Sequence, residues 1–461
     1  MQNTDKKLHT CTLRTTHSIV YINMAGGVLA LVATGIQNKD FHGNPQSSYF
    51  RYVLQKTTHF SSEFVQLQPE NTFQFDLSQP STRTFILKRH GDLLHRLYLR
   101  VRLPRLSPAS RNGVVFTPEY ASKIGYHTLA RIELLIGSQR VQSFTREQLY
   151  LHHELYAEDV DYQKLHMMYN TNDTSQLILP LPFWFCQAVA QSLPMYALDQ
   201  YEVKVRVQFE ALERMVLFGA SEPVTIPGAP EKVTYSTLLS TYQPSNVPSF
   251  TEFVDRTDAT QTSMEAQYYF LSRDELNDPF FGSQDVMIGQ YHTLTKRSLA
   301  ENEMFDLQTS SLITHYAWYY RSLSSISQEL GGISPISAKS PELVGGIDVN
   351  AVTLKLNGQG LFDEKSGAFF HTIQPYQYLP RSCHVGDQQF YVYHHAQDPM
   401  SIATGKYSGS LNASQFSRIQ WFFSGTPRNS DTMNDIEQVF VYHTLNILSI
   451  MDGSARLKYA M

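Results

Sequence analysis

Two histidine doublets are the first places in this sequence where chemistry could reside: His152-His153-Glu154 and His394-His395. Imidazoles beside a carboxylate are metal-ligand material, yet the spacing argues against a centre. Adjacent side chains on an alternating strand point to opposite faces, and on a helix they lie a wide angle apart, so one ion cannot easily use both. Neither doublet approaches a full ligand set, and no HxH pair occurs in the chain. GxSxG, HExxH, a Walker A loop and GxGxxG are also absent. The doublets read as structural or surface histidines. No catalytic residue, cofactor or metal is expected.

Three weaker signals remain. Lys88, Arg89, Arg96, Arg100, Arg102 and Arg105 form the densest basic stretch. Arg100 and Arg102 alternate with Leu99, Val101 and Leu103, so both guanidinium groups share the polar face of one strand. That face reads as solvated or, functionally, as a surface for an acidic partner. Trp184, between Phe183 and Phe185, has the makings of a sugar platform, but Pro180 and Pro182 mark it as a core corner. Asn172-Asp-Thr174 and Asn412-Ala-Ser414 are sequons that matter only where a glycosylation machinery is met.

The elements that must carry these residues are strands. The chain has 461 residues, 27 Tyr and 27 Phe, with 12% aromatic and only 17% charged residues. Such length predicts two domains, and such composition predicts β-rich packing. A net charge of −5 without a basic run excludes nucleic-acid binding through a broad basic face. Cys11, Cys186 and Cys383 are too few and too scattered for a disulfide or zinc framework and read as buried thiols. The apolar run Ile19–Ile36 is short for a spanning helix and is broken by polar residues and glycine.

Short alternating runs then recur at Phe73–Leu77, Thr84–Lys88, Leu97–Leu103, Arg131–Ile136 and Val203–Phe209, while Arg146–Tyr169 reads as a helical excursion. Pro223, Pro227, Pro230, Pro244 and Pro248 exclude central sheet and place a linker at 223–248. The second half echoes the first. Phe75-Asp76-Leu77 recurs as Phe305-Asp306-Leu307, Ile136-Gly-Ser-Gln139 as Leu356-Asn-Gly-Gln359, and Tyr201 as Tyr442. Asn357-Gly358 is a two-residue hairpin signal that needs positive φ.

Ordered motifs carry a resemblance. They are Asn44-Pro45, Gly91-Asp92, Gly137 with Gln139, Pro182 with Trp184, Tyr201, Asn357-Gly358-Gln359, Pro375-Tyr376, Arg418, and the closing segment through Met451. Together they resemble the double jelly-roll major capsid proteins of nucleocytoplasmic large DNA viruses, from Met24 to the last residue. Departures occur at His90, at Asp199-Gln200, at Ala413-Ser-Gln415 and in the Ser/Gly/Pro-rich insertion 323–349.

The resemblance implies an all-β fold of two tandem eight-stranded jelly rolls, with short helices in loops and an N-terminal arm. The expected division is an extension at 1–24, a first roll with its arm at 25–222, the linker at 223–248 and a second roll at 249–461. It further implies a homotrimer acting as a pseudo-hexameric capsomer of an icosahedral shell. Neighbouring capsomers, penton and minor capsid proteins would be partners, with contact to an internal membrane and none to nucleic acid. The place would be the virion capsid, assembled in host cytoplasm. A minor capsid or scaffold protein of the same fold, or a carbohydrate-binding or cupin-like jelly roll, are the alternatives.

Overall fold

The computed structural model describes residues 26–36, 42, 44, 45, 48, 50, 57–70, 76–121, 123–156, 164, 168, 177–220, 233–235, 238–239, 247–255, 262–276, 283–297, 302–322, 349, 351–380, 384–385, 388–399, 401, 406–424, 436–451 and 453–459. Expectations for the extension, for most of the linker and for the 323–349 insertion lie outside these residues. Met1–Thr57 forms a unit by itself, with helix α1 at Gly26–Val32.

Thr58–Met461 holds two sandwiches built on one plan. The first has strands β1 (Phe60–Leu67), β2 (Ser81–Leu87), β3 (Leu93–Val101), β4 (Leu129–Ile136) and β5 (Gln139–Thr145). Helix α2 (Arg146–Tyr156) follows, then β6 (Leu177–Pro180), β7 (Val203–Phe209) and β8 (Thr262–Leu271). The second has β9 (Ser283–Arg297), β10 (Asn302–Leu307), β11 (Leu312–Ser322), β12 (Ala351–Leu356) and β13 (Gln359–Gly360). A π-helical turn Phe369–Ile373 runs into α3 (Gln374–Tyr378), and β14 (Tyr391–His394), β15 (Ile419–Ser424) and β16 (Ile436–Met451) complete it. The sheets of the first are β2-β7-β4-β5 and β1-β8-β3-β6, and those of the second are β10-β15-β12-β13 and β9-β16-β11-β14. Each of these eight strands of one thus has a counterpart in the other, in the same order and antiparallel throughout. This is the double jelly roll.

Alternation explains the strands. Val203-Lys-Val-Arg-Val-Gln-Phe209 buries every second residue, and Val203, Val205, Val207 and Phe209 are at most 2% exposed. In β11 both faces are buried. Tyr316, Trp318 and Tyr320 point into the second roll's own core, where Trp318 stacks on Tyr391 at 5.5 Å and meets Trp421 at 5.4 Å. Ala317 and Tyr319 point the other way, into a core continuous with that of the first roll. The sheet β9-β16-β11-β14 is therefore a shared wall.

The topology corrects the expected domain division. Strand β8 lies beyond the 223–248 segment, yet it pairs with β1 from Phe60↔Leu271 to Leu67↔Met264 and with β3 from Thr262↔Val101 to Leu93↔Tyr269. The boundary between rolls moves to the stretch between Leu271 and Ser283. The proline-rich segment therefore falls in sequence between β7 and β8 of the first roll, because a jelly roll closes only when its last strand inserts between its first and third.

The echoes sort accordingly. Asn357 N donates to Arg418 O and Gly137 N to Glu202 O, each at 2.9 Å, so the two hairpins are structural counterparts. Phe305 and Leu307, however, match Phe85 and Leu87 of β2. Asp76 and Leu77 lie ahead of that strand, their carbonyls accepting from Leu212 and Glu213. Tyr201 precedes β7, whose counterpart is β15, so its pairing with Tyr442 fails.

Candidate functional site

Where the two rolls meet, helix α2 and strand β5 of the first lie against β9 and the shared wall of the second. The seam is buried and polar. Gln142 Nε2 donates to Gly289 O at 2.8 Å, and Gln290 Nε2 donates back to Val141 O at 2.8 Å. Gln142 Oε1 also accepts from Trp184 N at 3.1 Å, tying the aromatic corner into the seam. Gln148 Nε2 reaches Thr293 Oγ1 at 3.0 Å. All three glutamines and Gln290's neighbour Tyr291 are no more than 8% exposed. Such side chains are kept from water only because each finds a partner on the other roll.

Histidines fill the middle. His152 Nδ1 is hydrogen-bonded to the Tyr291 hydroxyl at 2.9 Å, and His315 Nδ1 to that of Tyr156 at 2.8 Å. Thr314 Oγ1 is hydrogen-bonded to His443 Nδ1 at 2.7 Å. The rings of His315 and His443 stack at 4.8 Å, and His394 lies 5.1 Å from His315. Burial holds His152 down at about 4 and His443 and His394 at about 3, with neighbouring imidazoles adding repulsion for the latter two. His315 is lowered well below the ordinary range by the same causes. These groups are neutral in the folded chain at physiological pH. Gly289 is required here, because a Cβ on it would stand 2.2 Å from His443 Nε2.

The doublets themselves divide between environments. His153 turns from the seam to the Tyr126 hydroxyl, 2.9 Å away, and His395 lies against Tyr393 and Tyr316. Among the described residues no three His, Cys, Asp or Glu side chains are arranged to hold a metal. His315, His443, Tyr291 and the reciprocal glutamines had no sequence signal beyond their places in alternating strands.

The remaining motif residues are structural joints. Asn44 and Pro45 are exposed in the first unit. Asp92 N donates to Tyr269 O and Asp92 Oδ2 accepts from Leu271 N, both at 2.9 Å, while a Cβ on Gly91 would stand 2.9 Å from that of Tyr268. Together they pin β8. Gly137 has φ of +60°, its α-carbon facing the ring of Tyr201, and Gln139 Oε1 accepts from Leu457 N at 3.3 Å. Pro182 is half-buried and Trp184 buried. Asn357 (φ +50°) and Gly358 (φ +86°) form the expected turn, with Gln359 opening β13. Asn357 Oδ1 accepts from Ser417 N at 2.8 Å, Ser417 Oγ at 2.9 Å and Arg418 N at 3.0 Å. Pro375 is buried in the first turn of α3, Tyr376 beside it is 90% exposed, and Met451 ends β16, half-exposed. Arg100 pairs with Glu265 at 2.9 Å on the outer face of the first roll. Cys186 is partly buried, its thiol pushed up to about 12 chiefly by burial.

Two sandwiches of one plan locked together by a buried seam describe a building block. The comparisons with known proteins agree. The family of the major capsid protein N-terminus matches residues 48–272, and that of the large eukaryotic DNA virus major capsid protein matches residues 283–456. The gap between them is where the strand pairing puts the boundary. The chain is 24% identical to the major capsid protein of Pyramimonas orientalis virus over 378 residues, covering 78% of each. It is 24% identical to that of Paramecium bursaria Chlorella virus 1 over 421 residues, covering 86% of each. Among solved structures, a chain of the PBCV-1 virus capsid superposes with a TM-score of 0.65 at 18% identity, covering 90% of this chain and all of that one. The Faustovirus major capsid protein gives 0.65 at 11%, covering 88% and 93%. The relatives are structural proteins, not enzymes, and capsid proteins of this kind assemble into capsomers and capsids. This chain belongs to the family of major capsid proteins of large eukaryotic DNA viruses, and it is a structural component of a virion capsid.

Proposed function

We propose that three copies of this chain form the capsomer, placing six jelly rolls around a pseudo-sixfold axis. The observation that carries this is the seam. It locks two rolls of identical plan into one piece through buried hydrogen bonds, so each copy contributes two near-equivalent segments to a ring. Three heterologous contacts of one kind close that ring. Its outer walls would meet neighbouring capsomers and penton proteins. Its base would meet minor capsid proteins and an internal membrane, with assembly in host cytoplasm and no direct contact to nucleic acid. Among the described residues no helix is long and apolar enough to cross a membrane. Size exclusion coupled to light scattering tests the trimer. The expected mass is three times 52.7 kDa, held at low and high salt, with little monomer at micromolar concentration. A folded monomer at both salts would overturn the capsomer reading.

A further inference from the structure

The internal duplication identifies the surface by which one copy grips the next. Strand register fixes the equivalences. Ala266 pairs with Leu97 and Val65 in the first roll as Tyr442 pairs with Tyr316 and His292 in the second. One residue along, Gln267 faces Phe64 as His443 faces Tyr291. Phe64 is therefore the first roll's Tyr291. The two differ in one respect: Tyr291, beneath helix α2, is 8% exposed, whereas Phe64 is 55% exposed.

The covering element has its own counterpart. In the first roll, hairpin β4–β5 leads into α2, whose His152 bonds to Tyr291. In the second, hairpin β12–β13 leads into the helical stretch through α3. Aligning the buried Leu149 and His153 of α2 with the buried Phe370 and Gln374 brings His152 onto Ile373 and Leu155 onto Tyr376. Ile373 is 45% and Tyr376 90% exposed, while Leu155 is 1% exposed. Each half of the seam thus exists twice in the chain: once buried against its mate, once bare.

We infer that, in the trimer, the outer face of β1-β8-β3 of one copy is covered by the Phe369–Tyr378 helical stretch of a second copy, Phe64 against Ile373 and Tyr376. This rests on the trimeric reading and specifies its contact. The composition fits a face that must be soluble before assembly. Where the internal seam has Ala317, Tyr319 and Val441, this face has Tyr98 and the Arg100–Glu265 pair, flanked by Phe60 packed edge-on to Tyr269 at 5.7 Å. Aromatic and arginine side chains are enriched in such interfaces.

A short bismaleimide cross-linker tests the contact on a chain carrying both Phe64→Cys and Ile373→Cys. Denaturing gels should show covalent dimers and trimers, whereas either single variant gives no ladder beyond the wild-type background. Mixing the two single variants during expression should yield dimers and no covalent trimer, because the contact is head-to-tail. In parallel, Phe60→Asp with Phe64→Asp should lower the light-scattering mass to that of a monomer while the circular dichroism of the folded chain persists. Absence of the ladder in a protein that light scattering shows to be trimeric would overturn this interface and leave the trimer standing. Wild-type protein that is itself monomeric would overturn both.

Discussion

Acidification should weaken this protein well before its carboxylates titrate. His152, His394 and His443 sit in the seam with folded values near 4, 3 and 3, depressed by burial, against about 6.5 in the unfolded chain. The unfolded state therefore takes up protons first, and stability falls as pH drops below 6.5 and continues to fall toward 4. Between pH 7.5 and 5.5 the three groups together cost about 4 kcal/mol. For a chain of 461 residues, an unfolding entropy of about 2.1 cal/mol/K per residue turns this into a Tm loss of at least about 4 °C, to which the other buried histidines add. Differential scanning fluorimetry from pH 5 to 8 measures it directly. His394 adds an internal control, since neither of its buried ring nitrogens has a hydrogen-bond partner among the described residues. His394→Phe should raise Tm at pH 7.5 and make the pH slope shallower by one group's share, about a seventh, since His127, His152, His153, His315, His395 and His443 are held down by burial as well. A Tm that is flat or rising from pH 7.5 to 5.5 would refute the reasoning.

Four further outcomes follow from single positions. Asn357→Ala removes an acceptor serving three donors and forces alanine into positive φ, so chemical denaturation should show a loss of about 2–4 kcal/mol. Gly358→Val should cost about 1–3 kcal/mol from backbone strain alone, since nothing lies within 4 Å of its Cβ position, and an unchanged melting temperature would contradict the turn. Gly289→Ala drives a methyl group into His443 at the buried seam and should cost about 1–3 kcal/mol by thermal melting, with full stability counting against the packing described. Gln142→Leu strands the Gly289 carbonyl and the Trp184 amide. It should cost about 2–4 kcal/mol and raise amide hydrogen exchange along β5 and β9, and unchanged exchange would show that the seam does not depend on it.

Local signals were legible and long-range pairings were not. The Asn357-Gly358 turn could be read because two adjacent residues determine it, and the Val203–Phe209 alternation because period two is a property of the strand alone. The place of β8 could not. Its partners lie far upstream, from Leu271↔Phe60 in β1 to Thr262↔Val101 in β3, and nothing in Thr262–Leu271 announces which sheet it will join. The proline-rich stretch misled because proline excludes central sheet but does not distinguish a linker from a loop. Tripeptide echoes failed for a related reason. Phe75-Asp-Leu77 matches Phe305-Asp-Leu307 in letters, yet Phe85 and Leu87 match it in register. The hairpin echo succeeded because its turn constrains backbone conformation as well as residue type. Seam histidines were invisible individually, since His315 and His443 come from strands far apart in sequence and acquire meaning only when stacked.

The polarity of the seam makes sense for a protein that must both hold its shape and be added to a shell. An apolar seam of the same area would bury as well but would tolerate sliding, because hydrophobic contact is non-directional. The paired bonds Gln142 to Gly289 and Gln290 to Val141 admit one register between the rolls, and each half fails if the other shifts. A capsomer whose two segments could slip against each other would present mismatched walls to its neighbours. The first roll's outer face meets the opposite demand. In the proposed trimer it has to remain in water until another copy arrives, and accordingly it carries a half-exposed ion pair where the second roll has Tyr319 and Val441, and a bare Phe64 where the second roll has the covered Tyr291. In the proposed trimer one duplicated architecture serves a permanent joint and an assembly joint, and the difference between them lies in side chains at equivalent positions of the same strands.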